Sequence, residues 1–123
     1  MSAEEWTDAR RDLAEALRAG YAVLKAGGRA VDAVEAAVVV MEDSPHFNAG
    51  HGAALNENGI HELDASIMDG ETLAAGAVSA ARAIRNPVRV ARALMDDGRA
   101  VFLTAAAADR FAEAKGLAVE PQS

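Results

Sequence analysis

Apolar residues repeat at helical spacing in the first third of the chain. Between residues 2 and 26 they recur every three or four positions, the spacing of one helical face, at Leu13, Leu17, Tyr21 and Leu24. Gly27-Gly28 follows and predicts the end of this helix. Residues 29–43 predict a second helix, in which the few polar positions form an edge of Asp32, Glu35 and Glu42. A helix this apolar is buried on most sides, so we expect the two helices to form an outer layer with the second on a sheet.

Short extended segments are predicted after Ser44-Pro45, which ends the second helix. Residues 53–56 and 60–68 are strand candidates, and Asn58-Gly59 between them is a hairpin turn signal. In the second segment, alternation places one set of residues on a single face: His61, Leu63, Ala65 and Ile67. Residues 76–84 are a third candidate, and their small side chains indicate that another layer packs closely against them.

The last third of the chain predicts a helix, a strand and a helix. Asn86-Pro87 is a helix start, with Asn as N-cap and Pro at the first helical position, and Gly98 ends that helix after Asp97. Residues 100–103 predict a buried strand, and Thr104 is placed to cap a final helix that ends at Lys115, with Gly116 just past its end. The order α, α, β, β, β, α, β, α predicts an α+β layered fold, with residues 1–123 as a single domain.

Composition excludes several classes of function. The chain has 12 basic and 19 acidic residues, a net charge of −7, which argues against binding to nucleic acid or to an anionic membrane surface. It contains no cysteine, so a disulfide framework, a thiolate nucleophile and a zinc–thiolate site are excluded. No apolar run is long enough to span a bilayer, and the charged N-terminal residues do not resemble a signal peptide, so we expect a cytoplasmic location.

The loop between the second helix and the first strand carries the main candidate chemistry. Gly50 and Gly52 allow positive φ or a close backbone approach within the segment Asn48-Ala49-Gly50-His51-Gly52. The Asn48 amide offers both a donor and an acceptor to a neighbouring active site. The alternative is an Asx-type turn, in which the Asn48 side chain bonds only to its own backbone.

Other polar groups are weaker candidates. The set His46, His51, His61, Glu62 and Asp64 has metal-ligand residue types, but its spacing matches no familiar zinc or iron site. Asp64, Ser66 and Asp69 have no histidine placed to form a triad with them. Four arginines fall near one helical face and are better explained by a solvated face or a partner contact than by a phosphate site; they are Arg82, Arg85, Arg89 and Arg92.

Several separated motifs resemble the α-subunit of the plant-type L-asparaginases, also called isoaspartyl peptidases, which are N-terminal-nucleophile hydrolases. The central matches are Phe47-Asn48-Ala49-Gly50, residues 52–56 and residues 62–70. Further matches precede and follow them in the order found in that family, and they include Gly27-Gly28, Ala75-Gly76, Asn86-Pro87 and Phe102-Leu103-Thr104. The resemblance covers nearly the whole chain.

This resemblance implies the α-subunit half of a layered αββα fold. It implies a structural Na⁺ held by main-chain carbonyl oxygens, and no organic cofactor. The implied ligands are the carbonyls of Met41, Glu42, Ser44, Phe47, Ala49 and His51. The Asn48 side chain is implied to have an accessory catalytic role, because the equivalent asparagine lies beside the nucleophile and helps to hold it.

The chain also departs from the family pattern. In these enzymes a precursor cuts itself ahead of a threonine, which becomes the N-terminal nucleophile of the β-subunit, its own amine acting as base. Thr7, Thr72 and Thr104 stand in other contexts, and the family's first strand does not precede the first helix. Ala105 and Ala107 stand where many relatives have glycine.

We therefore expect an α-subunit, or a fragment of one, of an enzyme that hydrolyses L-asparagine or β-aspartyl peptide bonds. Without the nucleophile the chain alone would be inactive. The implied partners are a β-subunit, with which it forms a heterotetramer, and a small-molecule or dipeptide substrate. The alternatives are a non-catalytic binding or assembly module of the same fold and, more distantly, a metalloenzyme.

Overall fold

A computed structural model describes residues 1–117 and 119–120. The helices are α1 (Ala3–Lys25), α2 (Ala30–Asp43), α3 (Pro87–Asp97) and α4 (Ala105–Ala114). The strands are β1 (Leu63–Met68), β2 (Ala75–Ala81) and β3 (Phe102–Thr104), and a short 3₁₀ turn lies at Gly50–Gly52. Among the described residues, no helix is long and apolar enough to cross a membrane.

One predicted strand is wrong. Residues 53–56 form no strand and contribute only an isolated antiparallel bridge from Leu55 to His61, around the predicted turn at Gly59, whose φ is +73°. The Asn56 side chain explains the irregularity, because its Oδ1 accepts the backbone N–H groups of Asn58 and Ile60 and so replaces regular strand pairing. The following strand accordingly begins at Leu63, three residues later than predicted.

Within the described residues, the sheet has three strands in the order β1-β2-β3. β1 and β2 are antiparallel, with Ile67 opposite Gly76, and β3 joins β2 in parallel, with Phe102 opposite Ala77. One face of β1 is buried through Leu63 and Ile67, whereas Asp64, Ser66 and Met68 on the other face are exposed. The predicted alternation along this strand is therefore confirmed, and the other face of the sheet is open.

Helices α3 and α4 cover the buried face. A core of β1, β2, α3 and α4 residues surrounds Val78 and Val90, and a second cluster joins Ile67 to Val31 of α2 and to α3. Gly76 lies so close to α3 that a Cβ there would meet the backbone of Ala91 and Met95. The close packing predicted from the small residues of this strand is confirmed.

The apolar stripe of α1 does not face the rest of the fold. Its members are between 53% and 73% exposed: Leu13, Leu17, Tyr21 and Leu24. The α2 side of α1 instead presents small residues, among them Ala16 and Gly20, and a Cβ on Gly20 would be 3.2 Å from the carbonyl oxygen of Ala33. Close packing of α1 on α2 through small residues thus leaves the larger side chains outside.

Glycines end the helices as predicted, but two predicted N-caps are wrong. Gly27, Gly98 and Gly116 have φ values of +82°, +77° and +68°, which allow the left-handed turn after a helix. Neither Asn86 nor Thr104 makes a side-chain capping bond at its helix. Asn86 instead donates its amide N–H to carboxylates of α2, and a residue of α2 supplies the missing cap.

Candidate functional site

The loop from Ser44 to Gly52 connects α2 to the sheet region and folds back on the end of α2. Gly50 is buried and has φ +49°, so the predicted left-handed conformation is confirmed there. A Cβ at Gly50 would lie 2.5 Å from the carbonyl oxygen of Glu42. A Cβ at Gly52 would overlap the carbonyl oxygen of Phe47. Both glycines therefore allow the chain to approach main-chain oxygens that a larger residue would cover.

These oxygens belong to the six carbonyls that the resemblance implies as sodium ligands. Three of them accept one N–H each: Met41 from Ser44 at 3.3 Å, Phe47 from Ala49 at 2.8 Å, and Ala49 from Gly52 at 3.1 Å. A carbonyl oxygen has two lone pairs, so each keeps capacity for a second partner. A donor set made only of oxygens suits a hard monovalent cation, and the residues whose carbonyls would hold it are Met41, Glu42, Ser44, Phe47, Ala49 and His51.

Ser44 fastens the start of the loop to α1. Its buried hydroxyl donates to Oδ2 of Asp12 at 2.8 Å and accepts the N–H of His46 at 3.1 Å. The bond from Ser44 is the main reason that the pKa of the Asp12 carboxyl lies below its ordinary value. The entry to the loop is thereby held on the side facing α1.

Glu42 fastens the same end of α2 to α3. Only 2% of the residue is exposed, its Oε2 accepts the N–H of Val88 at 3.1 Å, and its Oε1 accepts Nδ2 of Asn86 at 3.4 Å. Burial raises the pKa of the Glu42 carboxyl to about 7, against the opposing effect of these two hydrogen bonds. The sequence pattern predicted Glu42 on a polar edge of α2, and that prediction is wrong because α3 covers this residue.

Asn48 lies on the exposed side of the loop. Its Oδ1 accepts the backbone N–H of Ala54 at 2.9 Å, six residues further along, so the bond closes the segment from Asn48 to Ala54. This is a wider closure than the two-residue Asx turn considered from the sequence. The Nδ2 group of Asn48 donates to no acceptor within the part of the chain that the structure describes, and it is therefore available as a donor.

The two carboxylates of the histidine and carboxylate set have other partners in the structure. Glu62 forms an ion pair with Arg82 at 2.6 Å, and Oδ1 of Asp64 accepts from Ser79 Oγ at 2.8 Å and from Ala80 N–H at 2.9 Å. Among the residues described, no group of three or more His, Asp or Glu is arranged to hold a metal ion.

The four arginines do not share one helical face, because Arg82 and Arg85 precede α3. Arg85 pairs with Asp43 at 3.2 Å. Arg92, on α3, contacts carboxylates of α2 and of its own helix: Asp32 at 2.7 Å, Glu35 at 3.0 Å and Asp96 at 3.1 Å. The prediction of one shared face is wrong, and Arg92 ties α2 to α3.

The three threonines occupy structural positions. Thr7 lies within α1 and its Oγ1 donates to the Ala3 carbonyl at 3.0 Å, while Oγ1 of Thr72 accepts the N–H of Ala74 at 3.2 Å in a turn. Thr104 is exposed at the end of β3. The site that this chain itself builds is thus a loop with an available amide donor and with main-chain carbonyl oxygens against which Gly50 and Gly52 pack closely.

Comparison with known proteins shows to which family the chain belongs. The asparaginase family model matches residues 1–123. The chain belongs to the asparaginase family. It is 55% identical over 112 residues to an isoaspartyl peptidase/L-asparaginase of Mus musculus, an alignment that covers 91% of this chain and 34% of that protein. The corresponding protein of Homo sapiens is 53% identical over 105 residues, covering 85% and 34%, and that of Danio rerio is 52% identical over 108 residues, covering 88% and 35%.

This asparaginase-family chain spans about a third of the length of those relatives. The resemblance found in the sequence is confirmed, and the mixed α+β structure, with three strands and four helices among the described residues, is consistent with part of an N-terminal-nucleophile hydrolase fold. The roles of Asn48 and of the six carbonyls remain predictions. The side-chain cap that Glu42 provides was missed, although the Val88 N–H, in the first turn after Pro87, needs an acceptor from outside its own helix.

Proposed function

We propose that this chain forms the α-subunit portion of an isoaspartyl peptidase/L-asparaginase, which hydrolyses L-asparagine or β-aspartyl peptide bonds. The observation that carries the proposal is the 55% identity, over 91% of this chain, to a mouse protein with that name. The rest of the protein would supply the nucleophilic threonine. In that reaction the threonine oxygen bonds to the side-chain carbonyl carbon, the C–N bond breaks with release of ammonia or an amine, and water then hydrolyses the ester.

The contribution of this chain is a prepared loop. The Asn48 Nδ2 group, which has no acceptor among the described residues, would donate to the nucleophile and hold it in place. The carbonyls of Met41, Glu42, Ser44, Phe47, Ala49 and His51 would hold the structural Na⁺, which when bound supplies charge to fix the loop and takes no part in bond breaking.

Two open surfaces support an assembly with the rest of the protein. The uncovered face of the sheet carries small and polar side chains, including Ser66, Ala77 and Ser79, which suit close packing of a second sheet. The exposed apolar stripe of α1 needs a cover of its own. We propose that the β-subunit portion covers both surfaces and that the complete protein is a cytoplasmic heterotetramer.

A chimaera tests this function. The chain would replace the matched third of the mouse relative, and ammonia and aspartate release would be measured with L-asparagine and with a β-aspartyl dipeptide. We expect activity from the chimaera and none from the 123-residue chain alone. Activity of the isolated chain that survives replacement of Thr7, Thr72 and Thr104 by valine would overturn the assigned mechanism. A folded chimaera that binds its processed partner segment but hydrolyses neither substrate would favour a non-catalytic assembly module.

A further inference from the structure

Glu42 is a buried acidic residue whose side chain joins the end of α2 to the start of α3. Its Oε2 accepts the N–H of Val88 at 3.1 Å, and its Oε1 accepts Nδ2 of Asn86 at 3.4 Å. Val88 is the second residue of α3, and its N–H is one of the first-turn donors that have no partner within their own helix. Glu42 therefore caps α3 from a position 46 residues earlier in the chain.

The first turn of α3 offsets part of the cost of burying the Glu42 carboxyl group. The unpaired N–H groups give the first turn of a helix a partial positive charge, which favours a negative group close to it. Asn86, the residue in the N-cap position, makes no capping bond of its own and instead donates to Glu42 and Asp43. The bonds made by Glu42 thus satisfy the start of α3 and fix the end of α2 against it.

The backbone of Glu42 lies against the loop that carries Asn48. The carbonyl oxygen and Cβ of Glu42 are the nearest atoms to the position that a Cβ on Gly50 would take, at 2.5 Å and 2.8 Å. Gly50 follows Asn48 by two residues and lies inside the loop that the Asn48–Ala54 hydrogen bond closes. A movement of the Glu42 backbone would therefore displace Gly50 directly.

Helix α3, to which the Glu42 side chain bonds, is itself packed firmly against the sheet. α3 buries Val90, Ala91 and Leu94, and Gly76 of the sheet lies directly against the Ala91 carbonyl. A continuous series of contacts thus runs from the sheet through α3 and Glu42 to the loop. We propose that Glu42 is a positioning residue, which transmits the fixed position of α3 to the loop and so holds Asn48 in its productive place.

The proposal rests on the proposed function for its catalytic part only. Its structural part is tested in the 123-residue chain by amide hydrogen exchange. The reporter is the Ala54 N–H, which bonds to Asn48, and the reference is the Ala77 N–H, which bonds to the Val101 carbonyl at 2.8 Å in the sheet region. The ratio of the two exchange rates separates loop movement from a general loss of stability.

Four variants give distinct results. Glu42→Asp keeps the charge but shortens the side chain by one methylene, and we expect the Ala54 amide to exchange at least fivefold faster relative to Ala77. Glu42→Ala should increase this ratio further, whereas Glu42→Gln, which keeps an acceptor at the same reach, should restore most of the protection. Asp43→Asn is the matched control, because Asp43 bonds the same Asn86 side chain but does not face Gly50, and it should leave the ratio unchanged.

The catalytic part is tested in the chimaera. Glu42→Asp should lower kcat roughly tenfold with KM within twofold, Glu42→Gln should recover most of kcat, and Asp43→Asn should leave both unchanged. Exchange at Ala54 and Ala77 that rises by the same factor in Glu42→Asp would overturn the proposal, as would an unchanged Ala54 rate. If the unsubstituted chimaera is inactive, the proposed function fails while the exchange ratio still decides whether Glu42 positions the loop.

Discussion

Ala80 and Ala105 have left-handed backbone conformations, with φ values of +53° and +52°. An L-residue pays roughly 1–2 kcal/mol for this conformation, and glycine does not. Ala80 lies where one extra β2 residue interrupts the pairing with β1. Asp64 stabilises this bulge, because its carboxylate accepts the Ala80 N–H at 2.9 Å. Ala105 follows β3 directly and begins α4.

Ala105→Gly should therefore stabilise the chain. We expect the free energy of unfolding to rise by about 0.5–1 kcal/mol, because relief of the left-handed strain exceeds the extra entropy of glycine in the unfolded chain. Ala107→Gly is the matched control within α4 and should lower it by about 1 kcal/mol. Urea unfolding measures both values, and a destabilising Ala105→Gly would show that the φ of this residue is not strained.

Gly50 and Gly59 separate backbone strain from the shape of the ion loop. Gly50→Ala introduces both left-handed strain and a clash with the Glu42 carbonyl, whereas Gly59→Ala introduces strain in open space. We expect sodium to raise Tm in the unsubstituted chain and in Gly59→Ala but not in Gly50→Ala, because Gly50 lies against an implied ligand and Gly59 does not. A Tm that is indifferent to sodium yet falls with EDTA would contradict the assignment of a monovalent ion.

At the scale of elements, the junction of α2 and α3 contains a carboxylate whose titration affects folding. The ordinary pKa of a Glu side chain is 4.5, and burial raises that of Glu42 to about 7. The folded chain thus holds this proton more tightly than the unfolded chain does. The contribution of the protonated Glu42 side chain to the free energy of unfolding is complete below pH 4.5 and is lost as the pH rises through 7.

We expect the free energy of unfolding to fall by on the order of 3 kcal/mol between pH 4.5 and pH 7.5 through Glu42. Hydrogen bonds from Ser44 and Glu71 lower the pKa values of the Asp12 and Asp69 carboxyls. These two groups stabilise the fold above their ordinary pKa and lose this effect only at lower pH. Urea unfolding across this range measures the slope. Glu42→Gln should remove the decline between pH 5 and pH 7, and an unchanged decline in that variant would assign it to another group.

Local signals predicted the helix ends, but the strand predicted as buried over residues 100–103 is Phe102–Thr104, and Phe102 in it is exposed. Long-range pairing explains the other failures. The ends of three helices followed from Gly27, Gly98 and Gly116, because a left-handed residue after a helix is encoded at a single position. The cap of α3 was assigned to Asn86, although Glu42 provides it from another helix, and periodicity carries no information about such a partner. The orientation of the α1 stripe was equally undetermined, since spacing defines a face but not the surface that covers it.

At the scale of the whole molecule, the exposed α1 stripe predicts self-association of the isolated chain. Leu17 is 73% exposed at its centre, between two apolar hollows along the α1–α2 groove. Leu17→Gln should lower the average mass seen by sedimentation without changing the free energy of unfolding, because this side chain packs little within the fold. Arg110→Gln, an exposed change on α4, is the control, and equal masses for all three proteins would argue against association through this stripe.

The central proposal is that this chain presents Asn48 to a nucleophile from the rest of the protein. It follows from the family membership together with the geometry of the loop. The direct measurement is kcat for a β-aspartyl dipeptide in the chimaera carrying Asn48→Ala, with Asn58→Ala in the exposed turn as the matched control. We predict a loss of roughly ten- to a thousandfold for Asn48→Ala, as for one positioned hydrogen bond beside a nucleophile, and less than a twofold change for Asn58→Ala. An unchanged kcat in a folded, processed Asn48→Ala chimaera would contradict the account and leave Asn48 with its loop-closing bond to Ala54 as its whole role.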